Sequence, residues 1–200
     1  SQPSPAAFME AYADAELAGD EVIVITIAKT LSGTYQSARL AAEDVDVPVH
    51  VIDSETATQG EAILVREAVR LRDAGWTAEQ IVPELEQLKK RIRVVAVVDS
   101  LKHLQKGGRL PAAVAIVGGA LGIKPVLHVD KEGHLVAMEK VRGRRASLDA
   151  LVKHFAASAD KNYADMTIFI SHGDCLEDAQ YVADKIKAYG VKRLCIGDIG

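Results

Sequence analysis

The sequence predicts two α/β domains, the first on a mainly parallel sheet and the second on a mixed or antiparallel one. Three observations carry this. Between residues 22 and 89, short β-branched runs alternate with helical segments, an order that implies parallel pairing. Further on, two strand-like runs flank the polar turn Asp130–Gly133, a hairpin signal. The chain has 200 residues, 48% apolar and 26% charged, an ordinary globular composition with enough material to bury a real core. The change of pattern near Arg91–Arg93 divides it into domains 1–92 and 93–200.

Val22–Ile27 (VIVITI) is a continuous, β-branched apolar run, which suits a strand buried on both faces. The loop Ala28–Gly33 follows, then a helix over Thr34–Glu43. Pro48–Asp53 reads as the second strand. A helix over Thr56–Asp73 stops at Gly75. Thr77-x-x-Gln80 opens a third helix as a capping box, and Pro83 inside it predicts a later start or a kink. Val94–Asp99 is strand. Ser100–Gly107 is short, polar and basic. Pro111–Leu121 is helical and apolar nearly all round, hence buried. Strands over Pro125–Val129 and His134–Val141 make the hairpin. A helix at Arg145–Ala157, a strand at Thr167–Ser171, an amphipathic helix at Leu176–Tyr189 and a strand at Arg193–Ile199 complete the second half.

Composition excludes several functions. The net charge is −4, so bulk charge offers nucleic acid nothing. Cys175 and Cys195 have no C-x-x-C spacing, the histidines no H-x-x-x-H pair, and no metal site is expected. Two reduced thiols suit a cytoplasmic protein. The longest nearly apolar run, Leu110–Ile123, falls short of the ~20 residues of a membrane span, which leaves peripheral contact with a membrane open. There is no P-loop or Gly-rich kinase loop for ATP. The chain starts at Ser1 without a methionine and stops at Gly200 within a strand-like segment, so a fragment is expected.

Three segments could carry chemistry. Leu31–Ala38 (LSGTYQSA) follows a buried strand and opens a helix, where free N–H groups and the helix dipole favour an anion. Ser32 adds a hydroxyl donor and Gly33 permits close approach; alternatively, Ser32 only caps its helix. Lys102, Lys106 and Arg109, with Lys140, Arg142, Arg144 and Arg145, could form a local basic patch for an acidic partner or phosphate, or be ordinary solvated surface. Ala112–Leu121, with Gly118 and Gly119, could wall an acyl tunnel or be plain core. Ser32, Asp53 and His172 are the ingredients of a hydrolase triad, and a phosphotransferase using Ser32 is the related alternative, but the G-x-S-x-G elbow is absent.

Ser1-Gln2-Pro3-Ser4, LSGTYQSA at 31–38, Val51-Ile52-Asp53-Ser54, Leu104–Leu110 (LQKGGRL) and Gly122–Leu127 (GIKPVL) come in an order and at separations that resemble the DegV family over nearly the whole chain. The resemblance implies two α/β domains with a long-chain fatty acid held in a cleft between them, residues 1–92 being the remainder of the first. It implies no cofactor and no catalysis by this chain. Such proteins are similar to the binding subunit of bacterial fatty acid kinase, whose separate kinase subunit phosphorylates the acyl group. Ser32, with Gly33 beside it, falls on the family's carboxylate-binding segment, and Arg109 and Arg142 on the face that meets the kinase. The family's first strand and its Asp-Ser-Thr segment are absent. A threonine that precedes the SQPS segment and a histidine after the last strand are also absent. Ala28 and Lys29 stand where small hydroxylated residues are frequent.

Overall fold

The computed structural model describes residues 2–110, 122–158 and 161–199. The chain divides into two compact units, one of residues 1–92 with Lys131–His134, the other of residues 93–130 with 135–200. The fold is α/β, with parallel sheets and one antiparallel sheet.

The first unit opens with α1 (Pro5–Ala18), an element absent from the expected set. Its apolar residues are scattered round the helix and only Tyr12 is buried, so its periodicity is weak. Its ends are nonetheless encoded. Ser4 caps it by accepting the Ala7 N–H, Pro5 occupies its first turn, and Gly19 closes it at φ +72°, a left-handed conformation that glycine adopts without steric cost. The Tyr12 hydroxyl donates to the Ala38 carbonyl at 3.2 Å, holding α1 against α2.

β1 (Val22–Thr26) pairs in parallel with β2 (Val49–Asp53), joined through α2 (Thr34–Ala42). α3 (Gln59–Asp73) and α4 (Ala78–Lys89) follow. Ile52, Leu64, Leu71, Ile81 and Leu85 form the buried core, with Ile23 and Ile25 packed against it. α3 starts three residues later than expected. Residues 54–58 form a turn instead, in which the Ser54 hydroxyl donates to the Thr56 carbonyl and accepts the Thr56 N–H, and Glu55 and Thr58 take positive φ. Short hydroxyl side chains compete in this way with helix formation. α4 starts directly after Thr77, whose N–H donates to the Gln80 side chain at 3.0 Å. It also continues through Pro83. That proline is exposed, so water can satisfy the carbonyl left unpaired by its missing N–H.

The second unit holds an antiparallel sheet of β3 (Val95–Val97), β4 (Ile123–Val129) and β5 (Leu135–Arg142) in the order β3-β4-β5. Between Val126/Leu127 and their partners Glu139 and Ala137 the register shifts, leaving Met138 as an extra residue on β5. Such a bulge bends and twists the strand. The basic segment before residue 110 is a short helix, α5 (Lys102–Lys106). Beyond the sheet come α6 (Arg144–Ser158), a 3-10 turn (Tyr163–Asp165), β6 (Thr167–His172), α7 (Leu176–Lys187) and β7 (Arg193–Asp198), with β6 and β7 parallel. Leu148, Val152, Val182, Ile186 and Val191 form one core, and Leu101, Leu110 and Leu127 another. The segment Pro111–Leu121, expected as a buried helix and as a candidate acyl-tunnel wall, lies outside the described residues. Among the described residues no helix is long and apolar enough to cross a membrane.

Candidate functional site

In an open α/β sheet, ligand-binding loops gather at the carboxyl ends of parallel strands. In the first unit these are the loop after β1, Ile27–Gly33, and the turn after β2, Ser54–Thr58. Asp53 joins them. It is only 6% exposed, and its Oδ1 accepts the N–H groups of Lys29 at 3.2 Å and Glu55 at 3.0 Å. The Lys29 ammonium lies 3.5 Å from Oδ2, which makes no hydrogen bond. The Ala28 N–H donates to the Thr56 carbonyl at 2.8 Å, and the Ser54 N–H to the Thr26 carbonyl at 3.1 Å.

Lys89 supports this edge from α4. Its side chain is 8% exposed; the ammonium donates to the Asp53 carbonyl at 3.1 Å and pairs with Glu55 at 3.0 Å and Glu86 at 2.8 Å. Burial alone would lower its pKa, but the hydrogen bonds and charges of Glu86 and Glu55 outweigh that and hold it above the ordinary lysine value. Nothing in the sequence singled Lys89 out, because a lysine near a helix end reads as solvated surface.

Ser32 stands one residue before the cap of α2, which is Gly33. The simple helix-cap reading of Ser32 is therefore displaced by one position. Its Oγ accepts the Thr34 N–H at 3.3 Å and lies 2.8 Å from the Thr34 hydroxyl, where either can donate. A hydroxyl has two acceptor sites and one proton to give. When the Thr34 hydroxyl is the donor of that pair, both acceptor sites of Ser32 are filled and its proton is available for an anion beyond the loop. Thr34 is thus a member of this constellation that the sequence reading did not assign.

Gly33 has a φ of −73°, which any residue can adopt, and its open face is met by the end of the exposed Gln2 side chain. A Cβ there would lie 2.7 Å from the side-chain oxygen of Gln2 and 2.8 Å from its nitrogen. The close approach at Gly33 is made by the Gln2 amide, which also donates to Ser37 Oγ at 3.3 Å. Two of the quoted segments, SQPS and LSGTYQSA, thereby meet.

The hydrolase ingredients have other partners. Asp53 is engaged by backbone N–H groups and Lys29, while His172, in the second unit, lies 3.5 Å from Asp198. Asp130, Glu132 and His134, around the β4–β5 turn, have ligand atoms within 4.8 Å of one another, an arrangement common in surface turns without metal.

In the second unit, Arg109 and Arg142 are both exposed. Arg109 lies beyond α5 and donates to the Gly107 carbonyl; Arg142 ends β5 opposite Ile123. Two other members of the basic group are committed internally. Arg144 pairs with Asp178 at 2.7 Å and with Asp99 at 3.5 Å, and Arg145 stacks on Tyr181 at 3.3 Å from the ring centre.

Comparison with known proteins agrees with the fold. A family profile described as "Uncharacterised protein, DegV family" matches residues 1–200. A DegV domain-containing protein of Clostridium perfringens is 34% identical over 206 residues, an alignment covering 100% of this chain and 70% of that protein. The crystal structure of a DegV family protein from Eubacterium eligens loaded with heptadecanoic acid matches with a TM-score of 0.88 at 29% identity, over 100% of this chain and 72% of that one. A DegV-family protein of Ruminococcus gnavus, refined with vaccenic acid, matches with a TM-score of 0.85 at 32% identity, again over 100% and 72%. The chain belongs to the DegV family.

Proposed function

We propose that this chain is a non-catalytic, cytoplasmic carrier of a long-chain fatty acid, with the acyl carboxylate held at the loop before α2. The observation that carries the reading is the match, over the whole chain, to DegV-family structures refined with heptadecanoic and vaccenic acids. The local geometry supports it. Ser32 Oγ accepts the Thr34 N–H and pairs with the Thr34 hydroxyl; with the Thr34 hydroxyl as donor, the Ser32 proton can go to a carboxylate, and the start of α2 adds a favourable dipole. Gly33, beside Ser32, leaves the loop backbone open to close approach, with the exposed Gln2 side chain alongside. No cofactor is needed for such binding.

The acid so held would be presented to a separate kinase subunit for phosphorylation of its carboxyl group from ATP. Support for that step is the family resemblance and the exposure of Arg109 and Arg142, which suit docking to an acidic surface.

The test is direct. The purified protein is extracted and the extract weighed by mass spectrometry, and binding of a labelled fatty acid is then measured for the wild type and Ser32→Ala. A long-chain acid should be recovered, and Ser32→Ala should weaken binding by about 1–3 kcal/mol, the range for a hydrogen bond to a charged group. Absence of lipid together with turnover of a model ester would replace the carrier with a hydrolase. Equal affinity of the two proteins would remove Ser32 from the head-group site.

A further inference from the structure

The turn Lys131–His134 belongs to the first unit, and Gly133 within it is buried. Its φ is +88°, and a Cβ there would lie 2.8 Å from the Ala28 Cβ, 3.1 Å from the Thr30 hydroxyl and 3.3 Å from the Glu55 Cα. Both the backbone conformation and the space therefore require glycine. The Gly133 carbonyl accepts the Thr30 hydroxyl at 2.7 Å across 103 positions of sequence. This turn thus bears on both the loop after β1 and the turn after β2.

Ala28 is the foot of the loop that carries Ser32. It is fully buried. Its N–H bonds the Thr56 carbonyl, and its own carbonyl accepts the N–H groups of Leu31 at 2.9 Å and Ser32 at 3.2 Å. Gly133 lies against the Ala28 methyl, and its carbonyl ties Thr30, two residues before Ser32. Ala28 and Leu31 bury their side chains and anchor the foot and middle of the loop, while the half-buried Thr30 between them is tied by its hydroxyl to Gly133, so this hydrogen bond bears on where the neighbouring Ser32 hydroxyl stands. A small misplacement of such a donor weakens the bond to its acceptor steeply.

We propose that the Thr30–Gly133 contact is a positioning contact for the head-group site: it touches no ligand, and it sets affinity by holding the Ser32 loop. This rests on the reading that Ser32 binds the carboxylate. A Thr30 hydroxyl that acts through Ser32 must lose its effect once the Ser32 hydroxyl is gone, whereas a general support of the fold would keep it.

The experiment is a double-mutant cycle in the intact chain, with fluorescently labelled palmitate as the probe. Thr30→Val keeps the shape and removes the donor. It should weaken binding about 5-fold, the equivalent of one net hydrogen bond. Thr30→Ser restores the donor and should bind within about 2-fold of wild type, well inside that equivalent. Thr30→Val combined with Ser32→Ala should bind no more weakly than Ser32→Ala alone, which is the signature of coupled residues. Gly133→Ala should also weaken binding. Because it strains the fold, the Thr30 variants decide the question, each checked by thermal melting. Wild-type affinity in Thr30→Val, failure of Thr30→Ser to rescue, or additive losses in the double variant would each overturn the proposal while Ser32→Ala still loses affinity. If Ser32→Ala binds like wild type, the head-group reading itself fails and takes this inference with it.

Discussion

Replacing Lys89 by methionine isolates the charge of a buried lysine from its packing. The methionine stem fills most of the space of the lysine stem and leaves three acceptors without their donor. Glu55 and Glu86 are 31% and 41% exposed, so water can take over much of their solvation, and each pair contributes about 0–1 kcal/mol. The Asp53 carbonyl is different, because it lies on a buried residue and loses the Lys89 hydrogen bond of 3.1 Å; an unsatisfied buried acceptor costs about 1–3 kcal/mol. The sum is roughly 1–5 kcal/mol, or about 2–20 °C in melting temperature if the chain unfolds as one unit of its size. The pH dependence gives the sharper test. Lys89 is held above the ordinary lysine value in the folded protein. Its charge therefore stabilises fully below the unfolded value of about 10.4, and that contribution is lost as pH rises through the higher folded value. Thermal melts followed by circular dichroism should show a constant gap between wild type and Lys89→Met from neutral pH to about pH 9, below the unfolded lysine value. The gap should shrink at higher pH. A gap below about 1 °C at neutral pH, against the size expected from a lost buried bond, would refute the assignment of Lys89 as a structural tie. A gap that persists undiminished in strong alkali would show that packing, and not the ammonium, supplies it.

Gly19→Ala should cost about 1 kcal/mol of stability, read from urea melts. The residue sits at φ +72° with no atom within 4 Å of a built Cβ, so the penalty is purely that of an L-residue in the left-handed region. The reversal Arg109→Glu with Arg142→Glu should leave palmitate affinity nearly intact and slow acyl phosphorylation by a purified kinase subunit, with added salt producing a milder loss in the wild-type pair. Loss of lipid binding would move the arginines to the head group, and no change in either quantity would place the docking face elsewhere.

The parallel order of β1 and β2 was legible because residues 22–53 hold two β-branched runs separated by a helical segment. The β4–β5 hairpin was legible from Asp130–Gly133. What escaped was decided by short-range hydrogen bonding or by position in the fold. α1 has clear capping residues, Ser4-Pro5 and Gly19, but buries only Tyr12, and periodicity reads burial before it reads caps. The late start of α3 follows from Ser54 and Thr56 bonding locally, a choice between turn and helix that propensities rank nearly equal. Pro83 looked like a break because a proline removes one helix bond. Its exposure on α4 makes that loss tolerable, and exposure is known only once the helix is packed.

At the candidate site the same asymmetry holds. The segment LSGTYQSA after an apolar strand marks the loop at a strand end, since both the strand and the helix start are written locally. Its supports are not. Gln2 closes on Gly33, Gly133 closes on Ala28, and Lys89 holds Asp53, three contacts between residues far apart in sequence. A glycine signals only that a side chain would be in the way or that the backbone takes an unusual angle; it does not say what fills the space. At Gly33 the neighbour is the movable end of the Gln2 side chain, whereas at Gly133 it is the fixed Ala28 methyl together with φ +88°. A motif therefore names the residues that would face a ligand, whereas the residues that would aim them come from whichever elements the fold brings alongside. The Ser32 loop is anchored by its own buried Ala28 and Leu31 and braced by Gln2 and Gly133, so its geometry depends in part on neighbours that the motif does not contain.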